Sequence, residues 1–295
     1  MKRPSFETIF SYIVSGSLAC AILVLGLSFI YLKPDGIPTI AKGVWPAPLE
    51  LNEQLITARA AVVYDLVSNR TLYAKNADEV LPLASLTKLL TAQAVLARED
   101  VTTEVPITAE AIQSEGDWGF RVGEHWPLGD LLRFALAASS NDAIAAAASA
   151  LGPDKISIIN SEAKELGLTE TQVLNPTGLD ESGELAGGYG SAHDVALLVA
   201  AFLQKYPTFF EGTAARSVTI QQNGRTLVAT STALPLLDMP GLIGAKTGFT
   251  DLAGGNLVAA FDLELGRPVV IVALGSTLEG RFADVKLLLE AARKK

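Results

Sequence analysis

The chain has 295 residues, a net charge of −9 and a pI near 4.8. That acidity argues against a nucleic-acid partner, because phosphates call for a basic surface. Only two histidines are present, without ligand-like spacing, and there is no glycine-rich nucleotide loop. A metal centre and a nucleotide cofactor are therefore not expected, and the expected cofactor complement is none.

Residues 8–32 form an uncharged run of 25 residues rich in Ile, Leu, Val and Phe. A helix needs about 20 such residues to span a bilayer. A cleaved secretory signal has a shorter apolar stretch, about 7–15 residues, ending at a small-x-small site. Here the run ends in Tyr31-Leu32-Lys33-Pro34-Asp35, a poor cleavage site. The expectation is an N-terminal transmembrane signal anchor over 8–32, with 1–7 cytoplasmic and the remaining chain outside the membrane's inner face. Lys2 and Arg3 favour this orientation, and Lys33 and Lys42 on the far side weaken the bias. Cys20, the only cysteine, falls inside the span, so no intramolecular disulfide can form. Residues 33–50 are rich in proline and glycine and are expected to be a linker. Residues 51–295 are then the functional domain.

From Ala60 the pattern changes. Residues 61–66 and 71–74 are strand-like and flank a turn at 67–70, so a hairpin is expected. A helix is expected over Leu83 to Ala97, with Ser85 near its start. Further helices are expected from Leu128 towards Leu136, over Asp142 to Leu151, and over Lys155 to Leu166, the last closed by Gly167. Residues 176–190 read as a glycine-rich loop, followed by a helix from about His193 to Phe202. Strands at 217–221 and 226–230 flank Gln222-Asn223-Gly224-Arg225, a hairpin signal. Residues 257–261 and 269–274 read as strands, and 282–293 as an amphipathic helix. The expected class is α/β (α+β). One antiparallel sheet is built from both ends of the domain, with flanking helices and an inserted helical lobe.

Three short motifs carry chemistry: Ser85-Leu86-Thr87-Lys88, Ser139-Ser140-Asn141 and Lys246-Thr247-Gly248. Each is weak alone. Ser85 and Lys88 could be an exposed helix pair, Ser139-Ser140-Asn141 a helix cap, and Lys246-Thr247-Gly248 a strand and turn. All three in this order form a set shared by class A β-lactamases and penicillin-binding proteins. Residues three apart on a helix share a face, so the Lys88 amine can reach the Ser85 hydroxyl. Serine becomes a nucleophile when a base takes its proton. Lys88 can act as that base once burial and a second cation, for which Lys246 is a candidate, lower its pKa. Ser139 can relay a proton to a leaving amine, and Asn141 can hold a substrate carbonyl or Lys88. Lys246-Thr247-Gly248 reads as the start of a strand lining the site. Lys246 and Thr247 can grip a carboxylate, and Gly248 lets a substrate backbone lie close. Backbone N–H groups of Ser85 and Phe249 are the natural oxyanion hole.

With these residues in place, the chain resembles the serine D-Ala-D-Ala carboxypeptidases, the low-molecular-weight penicillin-binding proteins. The segments 81–88, 138–143 and 246–250 with Ala253-Gly254 look like the family's three motifs. Leu174-Asn175-Pro176-Thr177-Gly178-Leu179-Asp180 is similar to one of its loops. The resemblance covers the chain from about Ala60 onward. It implies the β-lactamase/DD-peptidase-like fold and an acyl-enzyme on Ser85. It also implies a peptidoglycan pentapeptide ending in D-Ala-D-Ala as substrate, β-lactams as covalent inhibitors, and no metal. It further implies a place for Arg281 near the substrate carboxylate. Gly254-Gly255-Asn256 departs from the aromatic-containing pattern expected there. A β-lactamase would need Glu where Thr171 stands, in Thr171-Gln172-Val173-Leu174-Asn175, with Glu170 one position off. A D,D-endopeptidase would use the same residues. A non-catalytic anchored wall-binding protein would not need them intact.

Overall fold

The structure, a computed structural model, describes residues 51–294 except 114, 115 and 117. The expected membrane span, Cys20 and the linker lie outside the described residues. Among the described residues no helix is long and apolar enough to cross a membrane.

Strands β1 (Ala60–Asp65) and β2 (Arg70–Lys75) pair as the expected hairpin. Asn69 supplies a left-handed turn residue at φ +53. After β3 (Leu81–Pro82) a 3-10 turn at Ala84–Leu86 runs into helix α1 (Thr87–Leu96). Strands β4 (Glu104–Pro106) and β5 (His125–Pro127) pair with each other and lead into α2 (Leu128–Ala138). Helices α3 (Asn141–Ser149) and α4 (Lys155–Glu165) follow. Ser140 caps α3 by accepting from the Ala143 N–H at 3.1 Å. Gly167, at φ +74, follows the end of α4 as expected. Strands β6 (Gln172–Val173) and β7 (Gly188–Gly190) join β3 in a small sheet ordered β3–β7–β6. Helices α5 (Ala192–Lys205) and α6 (Pro207–Glu211) precede the hairpin β8 (Ser217–Gln222) and β9 (Arg225–Thr230). The chain ends with β10 (Leu242–Thr250), β11 (Gly254–Asp262), β12 (Pro268–Ser276) and α7 (Gly280–Arg293).

The main sheet is antiparallel and ordered β10–β11–β12–β1–β2, so it is built from both ends of the domain. Its central strands are apolar at nearly every position because both faces are covered. Val62, Val270 and Val272 pack with residues of α1 to α5, whereas Val63, Ile271 and Ala273 pack with Val285, Leu288 and Leu289 of α7. Alternate side chains on a strand point to opposite faces, which sorts these residues into two cores.

Three expectations need correction. The β8–β9 hairpin is not part of the main sheet but forms its own. Its Thr and Gln residues face outward and only Ile220 and Ala229 are buried, so it has one apolar face and cannot fill a strand covered on both sides. The stretch 176–190 is not all loop, since it ends in β7. The strand carrying Lys246 begins four residues earlier than that lysine, at Leu242, so the motif lies towards its end.

Candidate active site

Ser85 lies in the 3-10 turn just before α1, not on the α-helix. Ala84, the residue before it, holds φ +48, a conformation that costs energy for a residue with a Cβ. This sharp bend lifts Ser85 between β3 and α1. Two glycines allow the bend to sit close. A Cβ on Gly178 would fall 1.9 Å from the Ala84 carbonyl oxygen, and one on Gly248 would fall 3.2 Å from the Ser85 nitrogen. The smallness of Gly248 therefore admits the nucleophile's own turn against the edge of β10.

Lys88, on the first turn of α1, is fully buried. Its Nζ lies 2.8 Å from Ser85 Oγ, 2.7 Å from Asn141 Oδ1 and 2.7 Å from the Thr177 carbonyl oxygen. Burial lowers its pKa to about 7. A neutral amine has two N–H donors and one lone pair. The two fixed acceptors, Asn141 Oδ1 and Thr177 O, match the two donors and leave the lone pair for the Ser85 hydroxyl. The arrangement is thus that of a serine and its base, with the base oriented by two further groups.

Ser139 ends α2 in the left-handed region at φ +61, and its Oγ accepts from Lys246 Nζ at 2.7 Å. Lys246 also donates to the Thr247 carbonyl at 2.7 Å and is fully buried. Burial, then the charges of Lys88 and Arg281, hold its pKa well below the ordinary lysine value. The Thr247 hydroxyl donates to the Thr232 hydroxyl at 2.7 Å. Arg281 reaches back from the start of α7 to the Gly248 carbonyl at 2.7 Å, and its burial lowers its pKa. Lys88, Lys246 and Arg281 therefore meet hydroxyls, an amide and backbone carbonyls but no carboxylate in these contacts, so an arriving anion would favour the charged form of Lys246.

The structure brings together eight of the nine expected residues through these contacts: Ser85, Lys88, Ser139, Asn141, Lys246, Thr247, Gly248 and Arg281. Phe249, the ninth, sits next on the edge strand β10, opposite Gly255, with its side chain half exposed. Sequence reasoning gave no role to the Thr177 carbonyl or the Thr232 hydroxyl. It also gave none to Asn256, which donates to the Pro82 carbonyl at 2.9 Å and so steadies the approach to Ser85. A backbone acceptor has no side-chain signature. The similar loop at 174–180 was the one signal that pointed to Thr177.

Glu170 and Thr171 serve another purpose. The Glu170 N–H and the Thr171 hydroxyl each donate to Asp194 at 2.8 Å, ahead of β6. The position facing Lys88 from that part of the chain is taken by the Thr177 carbonyl.

A family model described as D-alanyl-D-alanine carboxypeptidase matches residues 48–277. The D-alanyl-D-alanine carboxypeptidase DacF of Bacillus subtilis is 30% identical over 245 residues, covering 80% of this chain. The chain spans only 62% of that relative's length. A D-alanyl-D-alanine endopeptidase of Pseudomonas aeruginosa is 32% identical over 237 residues, covering 77% of this chain and 74% of that one. The crystal structure of penicillin-binding protein D2 from Listeria monocytogenes in an ampicillin-bound form is similar at 31% identity. Its TM-score is 0.71, covering 82% of this chain and 98% of that one. The match runs through all three motifs and the loop that orients Lys88, and on that basis this chain belongs to the D-alanyl-D-alanine carboxypeptidase family.

Proposed function

We propose that the chain is a serine D-Ala-D-Ala carboxypeptidase acting on peptidoglycan stem peptides. The observation that carries this reading is the Lys88 amine, 2.8 Å from Ser85 Oγ with its other two partners already supplied. Neutral Lys88 takes the Ser85 proton as Oγ attacks the carbonyl of the penultimate D-Ala. The oxyanion is met by the backbone N–H groups of Ser85 and Phe249. Ser139, hydrogen-bonded to Lys246, hands a proton to the departing amine of the terminal D-Ala. The C–N bond breaks, the acyl group stays on Ser85, and water then hydrolyses the ester. The carboxylate of the terminal D-Ala is drawn by Lys246, Thr247 and Arg281, and its arrival favours the charged form of Lys246. That charge in turn keeps Lys88 neutral.

β-Lactams acylate Ser85 by the same route and act as covalent inhibitors. The Listeria relative in its ampicillin-bound form supports this. A β-lactamase reading is disfavoured by Thr171, which stands where that enzyme would need Glu and whose hydroxyl donates to Asp194. Cross-link cleavage by the same site is the second reading, favoured by the Pseudomonas endopeptidase among the relatives. We place the domain outside the cytoplasmic membrane of a bacterium, held by the apolar run at 8–32.

The test is to incubate the protein with a pentapeptide ending in D-Ala-D-Ala and follow product mass. Loss of one D-Ala, absent in Ser85→Ala, establishes the reading. Retention of the pentapeptide together with cleavage of a cross-linked dimer transfers it to endopeptidase.

A further inference from the structure

The loop 174–180 lies outside the three motifs, yet it supplies one of the three partners of Lys88. Its shape is governed by one side chain. Asn175 Oδ1 accepts from the Thr177 N–H at 3.1 Å, the Thr177 hydroxyl at 2.9 Å and the Gly178 N–H at 2.8 Å. Its Nδ2 donates to the Leu179 carbonyl at 2.9 Å and to Glu181. The side chain thus ties the backbone on both sides of Thr177 into one tight turn, with Gly178 at φ +77. The turn is then fixed to its surroundings at three places. Leu174 and Asn175 donate to the Gly187 carbonyl at 2.9 and 3.1 Å. Thr91 on α1 donates to the Pro176 carbonyl at 2.9 Å. Asp180 accepts from the Thr250 hydroxyl at 2.9 Å and the Leu252 N–H at 3.2 Å, beside Phe249.

We propose that Asn175 is a positioning residue for the general base, acting through the Thr177 carbonyl to aim the lone pair of Lys88 at Ser85. Two acceptors are needed to leave a neutral amine only one direction for its lone pair. Asn141 supplies the first from α3, and the turn built on Asn175 supplies the second. Without the turn the Lys88 amine keeps its place on α1 but rotates, and its lone pair spends less time on the Ser85 hydroxyl. The expected loss is in the chemical step, not in ligand binding, because Asn175 lies behind Thr177 and touches Ser85, Ser139 and Lys246 nowhere among the contacts above. The inference rests on the acyl-enzyme reading of Ser85.

The test is the rate of covalent labelling of the full chain by a fluorescent penicillin, resolved into a maximal acylation rate and an apparent affinity, across pH. Asn175→Ala removes every contact of the side chain. Its maximal rate should fall by about tenfold or more, with affinity nearly unchanged, as expected for a misaimed group. Asn175→Asp keeps the three acceptor contacts, loses the two donor contacts to the Leu179 carbonyl and Glu181, and places a negative charge behind Thr177. Its rate should recover only in part relative to Asn175→Ala, with the acid limb of the pH profile moved to higher pH, because the added charge favours protonated Lys88. A purely structural role would lower the melting temperature and the amount of active protein but leave the rate and pH limb of the folded fraction unchanged, and that result overturns the proposal. If Asn175→Ala fails to fold, Asn175→Gln, which displaces the same amide by one methylene, takes its place, and a maximal acylation rate equal to wild type overturns the proposal equally. Wild-type protein that takes no label at Ser85 sinks the acyl-enzyme reading and this inference with it. Labelled wild type with unaffected Asn175 variants sinks the inference alone.

Discussion

The Lys246 amine donates to the Ser139 hydroxyl at 2.7 Å, and Ser139 meets it from a left-handed backbone at the end of α2. Lys246 is fully buried, and this hydroxyl is its one side-chain acceptor beside the Thr247 carbonyl in these contacts. Ser139→Ala breaks the path by which a proton arrives at the leaving amine. D-Ala release should fall by about 100-fold or more in kcat. KM should change little, since the hydroxyl acts at the reacting nitrogen. Steady-state kinetics on a D-Ala-D-Ala peptide checks this, and a variant with unchanged kcat would remove Ser139 from the mechanism.

Lys88 must be neutral to accept the Ser85 proton, and burial lowers its pKa to about 7. The acylation rate should therefore rise through pH 7 and level off above it. A rate that continues to climb in proportion to hydroxide up to pH 10 would mean an ordinary lysine at this position. Stopped-flow labelling with penicillin gives the profile.

The same shift has a cost in stability. The native pKa lies near 7 and the unfolded value near 10.4. Between these two values the unfolded chain holds a proton that the native one does not, so this residue's contribution to stability rises with pH across the window. Below pH 7 the native state must bury a charge. Lys88→Met should therefore melt higher than wild type, with a larger gain at pH 6 than at pH 10. Thermal melts at the two pH values decide it.

Gly178 faces the bend that carries Ser85. A methyl group there would sit 1.9 Å from the Ala84 carbonyl oxygen, at a backbone φ of +77 that disfavours any side chain. Gly178→Ala should cost more than about 2 kcal/mol and abolish penicillin labelling, because either the loop or the Ser85 turn must move. Gly183→Ala, where a Cβ meets nothing within 4 Å, is the control and should behave as wild type. Chemical denaturation and a labelling gel suffice.

Much of this molecule is legible in its sequence because the signals are local. The 60–75 hairpin, the helices over 128–165 and 192–205, and the strands at 254–276 follow from hydrophobic period and from Gly167 and Ser140 as helix boundaries. The β8–β9 hairpin was also legible as a hairpin, but not its place. Whether a strand joins the main sheet depends on what covers its second face, and α7 provides that cover for β11 and β12 but not for β8.

Ser85, Lys88 and the partnership between them follow from a spacing of three in the chain, and the sequence alone names the nucleophile and its base. The sequence equally determines that a second serine, an asparagine and a second lysine belong to the set. The tertiary structure decided what those residues do to one another. Asn141 and Thr177 come to one amine from 53 and 89 residues away, and only their joint placement selects the direction of its lone pair. The lowered pKa likewise belongs to the fold, since it arises from burial beneath elements drawn from the whole domain. Spacing along a helix acts within one turn of backbone, whereas orientation and desolvation depend on everything packed around the group.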